Sequence, residues 1–114
     1  TPMGIRTLAP SDSRYQGHYG GDVTHRDAAY HMGTSWPWLL GVFVRTHLNV
    51  HNDKPTAQKL IAPFVKELER RGLGSISEVH DGDAPFAPGG TIAQAWSVGE
   101  ILALCLETTE IPNP

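Results

Sequence analysis

Glu78 stands in a glycine-flanked stretch, Gly74-Ser-Ile-Ser-Glu-Val-His-Asp-Gly-Asp83. Hydroxyls (Ser75, Ser77), an imidazole (His80) and two further carboxylates (Asp81, Asp83) surround it. A loop carboxylate of this kind can accept hydrogen bonds from serine and backbone donors and still face a cleft. That is what a general base requires, an ionised and oriented acceptor within reach of a water. The same spacing also fits a merely exposed acidic loop. Asp81-Gly-Asp83 hints at a calcium loop, but the later ligand positions of an EF-hand are missing.

The other candidate groups cluster before residue 40. His31 sits among Tyr30, Gly33, Thr34, Trp36 and Trp38. Aromatic faces beside hydrogen-bonding groups suit a polyhydroxylated ligand: rings stack on C–H faces while polar tips select hydroxyls. Core packing of the tryptophans is the rival reading. Gln94, just before Trp96, can turn an amide toward the same cleft as Glu78. Arg26-Asp27 reads as a local ion pair or a substrate clamp. His47 and His51 have the i, i+4 spacing that can chelate a metal, but Leu48 stands where a zincin has glutamate. A solvated helix end is the better account of them, and no metal site is expected. No dinucleotide fingerprint and no Gly-x-Ser-x-Gly elbow occurs, and no cofactor is expected.

Three helices have to position these groups. Pro37 tolerates a first helical turn, Thr34 or Ser35 can cap it, and Leu39, Leu40, Phe43, Val44 and Leu48 follow at helical spacing to about His51 and Asn52. Gly41 within it marks close packing. Asp53 caps a second helix, in which Leu60, Ile61, Phe64, Val65 and Leu68 form one buried stripe. Pro63 should bend or divide it, and Lys66, Glu67, Glu69, Arg70 and Arg71 form its solvated side. Gly72 and Gly74 end it. A third helix runs from about Thr91 to Leu106, with apolar residues on more than one face, and so should be buried on two sides. Residues 1–36 and 73–90 read as long ordered loops, and the tail Ile-Pro-Asn-Pro should fray. The coarse expectation is an all-α chain with little strand.

The chain has 114 residues, which bounds it to one domain. Its net charge of −3 provides no field for a polyanion, so no nucleic acid partner is expected. No apolar stretch approaches the roughly 20 residues that span a bilayer, and no membrane partner is expected. The single cysteine, Cys105, lies in an apolar run and reads as core packing. It allows a reducing compartment, and we expect a cytoplasmic location.

Six segments resemble, in the right order, the C-terminal amylo-α-1,6-glucosidase domain of glycogen debranching enzymes. They are Gly4-Ile-Arg-Thr-Leu-Ala-Pro-Ser-Asp12, Tyr15-Gln-Gly-His-Tyr19, Arg26-Asp-Ala-Ala-Tyr-His31, Gly33-Thr-Ser-Trp-Pro-Trp38, Gly74-Ser-Ile-Ser-Glu78 and Ala93-Gln-Ala-Trp-Ser97. The Gly-Ser-Ile-Ser-Glu stretch is also similar to the base segment of glucoamylases. The resemblance implies the C-terminal part of an (α/α)6 barrel, and hydrolysis of an α-1,6-linked glucose stub with inversion. It implies Glu78 as general base, with Tyr30, His31, Trp36 and more weakly Gln94 lining the glucose subsite. Met32 departs from the family, where glutamine usually precedes Gly33, and Ser35 replaces a common apolar residue. The implied general acid lies upstream of the matched region. The chain is therefore expected to be a C-terminal fragment of one catalytic domain, inactive alone, whose partners are an α-glucan and the missing upstream part. The alternatives are a non-catalytic carbohydrate-binding helical module, a glucoamylase-like hydrolase of another α-glucoside, or a metal-binding helical protein using His47 and His51.

Overall fold

The computed structural model describes residues 1–71 and 74–109. Its elements in chain order are β1 (Ile5–Arg6), α1 (Val23–Tyr30), β2 (Ser35–Trp36), α2 (Leu39–His51), α3 (Lys54–Glu67), β3 (Val79–His80), β4 (Pro88–Gly89) and α4 (Ala95–Thr108).

The three long helices follow from their apolar spacing. Leu40 and Val44 of α2, Ala57, Ile61 and Phe64 of α3, and Ile101 and Leu104 of α4 meet in one buried cluster, closed by Met3 and Ile76. Each of the larger of these side chains contributes roughly 1.5–3 kcal/mol when fully buried. Asn52 ends α2 in a left-handed conformation (φ 50°, ψ 32°), its N–H donating to Leu48 O at 2.8 Å. Asp53 then starts α3 at once, its carboxylate accepting the Thr56 N–H at 3.0 Å and the Thr56 hydroxyl at 2.6 Å. Arg45 of α2 ties to α4 by donating to Glu100 at 2.6 Å and to Glu107 at 3.1 Å. A Cβ on Gly41 would meet the Glu100 carboxylate, the close packing expected there.

An all-α chain, read as the C-terminal part of an (α/α)6 barrel, is overturned by a four-stranded antiparallel sheet in the order β1-β2-β3-β4. Ile5 pairs with Trp36, Ser35 with His80, and Val79 with Gly89. Each strand has two residues, too short for an alternating pattern, and pairing between segments distant in sequence is what forms them. Sequence pattern also hides α1. Its residues, VTHRDAAY, are mostly polar, with Ala29 its buried residue, and Asp22 caps it by accepting the His25 N–H.

Several helix expectations change in detail. α2 begins at Leu39 after Trp38, without a side-chain cap. Ser35 is instead in β2, and Thr34 is buried with its hydroxyl donating to Ala29 O at 2.6 Å. α3 runs through Pro63 undivided. Its stripe is narrower than expected, since Val65 and Leu68 are exposed, while Glu67, assigned to the solvated side, is buried. α4 begins at Ala95 and buries one face, leaving Trp96, Leu102 and Leu106 exposed. Cys105 is partly buried against the core. Gly72 and the tail from residue 110 lie outside the described residues. Gly74, at φ +91°, donates its N–H to Leu68 O at 2.7 Å and carries the chain back toward the sheet. No helix of the described residues is long and apolar enough to cross a membrane.

Candidate active site

The sheet delivers Glu78. The residue precedes β3, whose Val79 and His80 are fully buried. Its own N–H donates to Thr91 O at 2.9 Å, and Thr91 returns a backbone N–H to Glu78 Oε2 at 3.0 Å. On the other oxygen, Glu78 Oε1 accepts the Tyr30 hydroxyl at 2.5 Å. Tyr30 is the last residue of α1, so the helix hidden from sequence pattern brings the phenol to the carboxylate.

Both carboxylate oxygens are thus held, and each keeps acceptor capacity, because an ionised carboxylate offers about four lone-pair sites. Burial pushes the Glu78 carboxyl up, but hydrogen bonds from Tyr30, from the Thr91 amide and hydroxyl, and from Gln94 outweigh it. The net effect holds the group below the usual glutamate range and so ionised at neutral pH. Burial first, and the neighbouring carboxylate second, push the Tyr30 phenol well above its ordinary value, so it stays a donor.

Glu78 opens onto a polar cleft of about 590 Å³, walled by Tyr19, Gly20, Gly21, Arg26, Arg71 and the Pro88–Thr91 segment. Arg71 is fixed there by donating to Pro88 O at 2.6 Å. The Tyr19 wall is pinned from behind. Asp81, which is buried, accepts the Tyr19 N–H at 2.7 Å and meets His18 Nδ1 at 2.9 Å. Gly82 N–H donates to Gly17 O at 2.7 Å. Behind β3, His80 Nε2 lies 3.2 Å from Glu67 Oε1, with both side chains wholly buried, and Arg70 reaches the second Glu67 oxygen at 3.4 Å.

The residues expected in one glucose subsite divide between two clefts. Tyr30 is at Glu78, and the Gln94 side chain is near enough to it to help hold the carboxyl ionised. His31 and Trp36 line a second, aromatic cleft with Trp38 and Trp96. Trp36 still belongs to the frame of the site, because its indole N–H donates to Tyr30 O at 3.1 Å and its ring meets Tyr30 edge-on at 4.6 Å. Arg26 is a cleft residue rather than the partner of Asp27, its guanidinium reaching Gly21 O at 3.4 Å. His47 and His51 lie with ring centroids 4.9 Å apart, and His47 Nε2 is 3.9 Å from Asp53. Among the described residues no three His, Cys, Asp or Glu side chains gather as a metal set.

Tyr19, Arg71, Thr91 and Asp81 were not singled out as site residues by sequence. Tyr19 carried a weak signal as an aromatic in a long loop. Arg71 carried none, because a charge at a helix end is usually solvated.

The site is thus a held carboxylate in an open polar cleft, with an aromatic cleft alongside. The family described as amylo-alpha-1,6-glucosidase matches residues 1–103, and the chain belongs to it. A glycogen debranching enzyme of Saccharomyces cerevisiae (strain ATCC 204508 / S288c) is 39% identical over 56 residues, which cover 44% of this chain and 4% of that relative's length.

Proposed function

We propose that this chain is part of an inverting glycoside hydrolase that releases α-1,6-linked glucose in glycogen debranching, and that Glu78 is its general base. The observation that carries this reading is the holding of both Glu78 oxygens by Tyr30 and Thr91 at the mouth of a polar cleft. An oxygen so held keeps one acceptor site for a water. It orients that water toward an anomeric carbon and takes its proton as the new C–O bond forms. Inversion needs a second carboxyl group roughly 6.5–9.5 Å away to protonate the leaving oxygen. Among the described residues, Glu78 is the one carboxylate lining the cleft. The acid is therefore assigned to a further segment that completes the site, and the 114-residue chain alone is expected to have no turnover.

The deciding experiment is Glu78→Gln in the active enzyme. The reading expects glucose release from a branched dextrin to fall by about 10³-fold or more, with substrate binding largely kept. Near-normal hydrolysis would move the base elsewhere. The lone carboxylate also favours a second reading, a non-catalytic carbohydrate-binding module. That reading expects oligosaccharide binding and no activity when the chain is joined to its natural neighbouring segments.

A further inference from the structure

We propose that the groove between α3, Met3 and Phe86 binds a small organic phosphate. Lys66 and Arg70 take the phosphate, and an apolar floor takes the body that carries it. The groove shares no lining residue with the Glu78 cleft, so the site stands apart from the reading above.

The groove has a volume of about 390 Å³, within the roughly 300–1,000 Å³ of small-molecule pockets. Lys59, Pro63 and Lys66 recur at steps of four and three and so share one face of α3, which forms one wall. The turn after the helix, closed by the Arg70 N–H on Glu67 O at 3.0 Å, adds Arg70 to the same wall. Met3, Pro85 and Phe86 face it with apolar groups. Phe86 has a φ of 58°, its N–H donating to Asp83 O at 2.8 Å. A bulky side chain in the left-handed region is costly. Such conformations persist where the surroundings over-determine them, and they cluster at ligand sites. Here the conformation lets Phe86 pack against the core and still line the groove.

Charge selects the ligand. The chain has 12 acidic residues against nine basic ones, yet among the described residues neither Lys59 nor Lys66 is in an ion pair. The carboxylate in the lining, Glu67, is wholly buried and already met by His80 and Arg70. It therefore anchors the arginine rather than repelling an anion. Arg70 spends one N–H on it, at 3.4 Å, and a guanidinium has five. Three cations thus border the groove with donors to spare. A phosphate monoester carries a charge of about −1.5 to −2 at neutral pH and three strong acceptor oxygens, which answers more than one cation where a carboxylate answers one. The floor of Pro63, Met3 and Phe86 has no polar side chain to offer, so it suits an apolar or aromatic body joined to that phosphate.

Calorimetric titration with phenyl phosphate, inorganic phosphate and phenol tests this, on the chain joined to its natural neighbouring segments. Phenyl phosphate is expected to bind at least about tenfold tighter than either half of it alone. Lys66→Ala should weaken phenyl phosphate by about tenfold, the scale of one charge-assisted hydrogen bond, and Lys66→Arg should keep most of the affinity. Arg26→Ala, in the Glu78 cleft, should leave it within about twofold. Transferred NMR contacts in the unsubstituted protein, which need no variant to fold, should run from the phenyl protons to Phe86 and the Met3 methyl. Equal affinity for inorganic phosphate marks plain ion attraction and overturns the proposal. So does unchanged binding in Lys66→Ala, an absence of contacts to Phe86 and Met3, or a tenfold loss in Arg26→Ala, which would put the phosphate at the other cleft.

Discussion

The Tyr30 hydroxyl donates to Glu78 Oε1 at 2.5 Å, joining the end of α1 to the approach of β3. The contact keeps a partly buried carboxyl ionised against the pull of its own burial. Tyr30→Phe removes that donor and little volume. The Glu78 carboxyl then climbs toward its ordinary value. A depressed carboxyl is active above its folded value and fails as pH falls through it, so the acid limb of the rate profile is expected to move to higher pH. The loss in kcat is expected to be about tenfold or more, the scale of a hydrogen bond to a charged group. A pH–rate profile of the variant checks both.

Asp81 acts on the opposite wall. It accepts the Tyr19 N–H and contacts His18, fixing the loop that faces Glu78 across the cleft. Asp81→Ala leaves Tyr19 N–H without this acceptor and frees the wall. Steady-state kinetics on a branched dextrin should show KM raised by about tenfold, with kcat changed by less than about threefold, since the Glu78 contacts remain.

His80 and Glu67 form a buried pair between β3 and α3. Burial pushes the His80 imidazole below its ordinary value, and Glu67 offsets only part of this. In the unfolded chain the imidazole protonates near its ordinary value of about 6.5, so the unfolded state binds more protons as pH falls below that point. Stability is therefore expected to be full above about pH 6.5 and to decline below it. Glu67→Ala, which leaves the buried neutral imidazole without its acceptor, should cost about 1–3 kcal/mol. Glu67→Gln, which keeps an oxygen, should cost less. Urea unfolding of both variants across pH measures this.

The α2–α3 corner depends on one side chain. Asp53 accepts both the amide and the hydroxyl of Thr56, and those bonds hold its carboxyl below the usual range. Asp53→Ala should destabilise the chain, as the loss of a helix cap does. In the parent chain this contribution is present above the ordinary aspartate range and shrinks as pH falls through the lowered value. Thermal melts of both proteins at neutral and acid pH should converge accordingly.

What could be read from sequence follows the reach of each signal. Helices α2 and α3 and the Asp53 cap are local signals and were legible, but the stripes were read too wide, since Phe43 of α2 is exposed, like Val65 of α3 and Leu68 after it. The loop setting of Glu78 was legible too. The strands were not, because a two-residue strand exists only through partners such as Trp36 for Ile5 or Gly89 for Val79. Glu67 was misread because helical charge patterning normally marks solvent, and its buried histidine partner lies across a chain reversal. The aromatic residues expected in one subsite fall into two groups. Sequence spacing places Tyr30 and His31 side by side, whereas the end of α1 sends one to Glu78 and the other to Trp36.

The run from Glu78 to Asp81 has a consequence for how this chain tolerates change. One residue faces the cleft, the next is core, the third is tied to α3 and the fourth to the Tyr19 loop. Substitution at any of the four weakens one tether and leaves three. Removal or insertion of a single residue there shifts the register against β2 and β4, and turns each side chain into its neighbour's surroundings. Point variation in this run should therefore give graded phenotypes, while length variation should be all-or-none, and libraries or lineages derived from this chain should keep its spacing even where they change its letters.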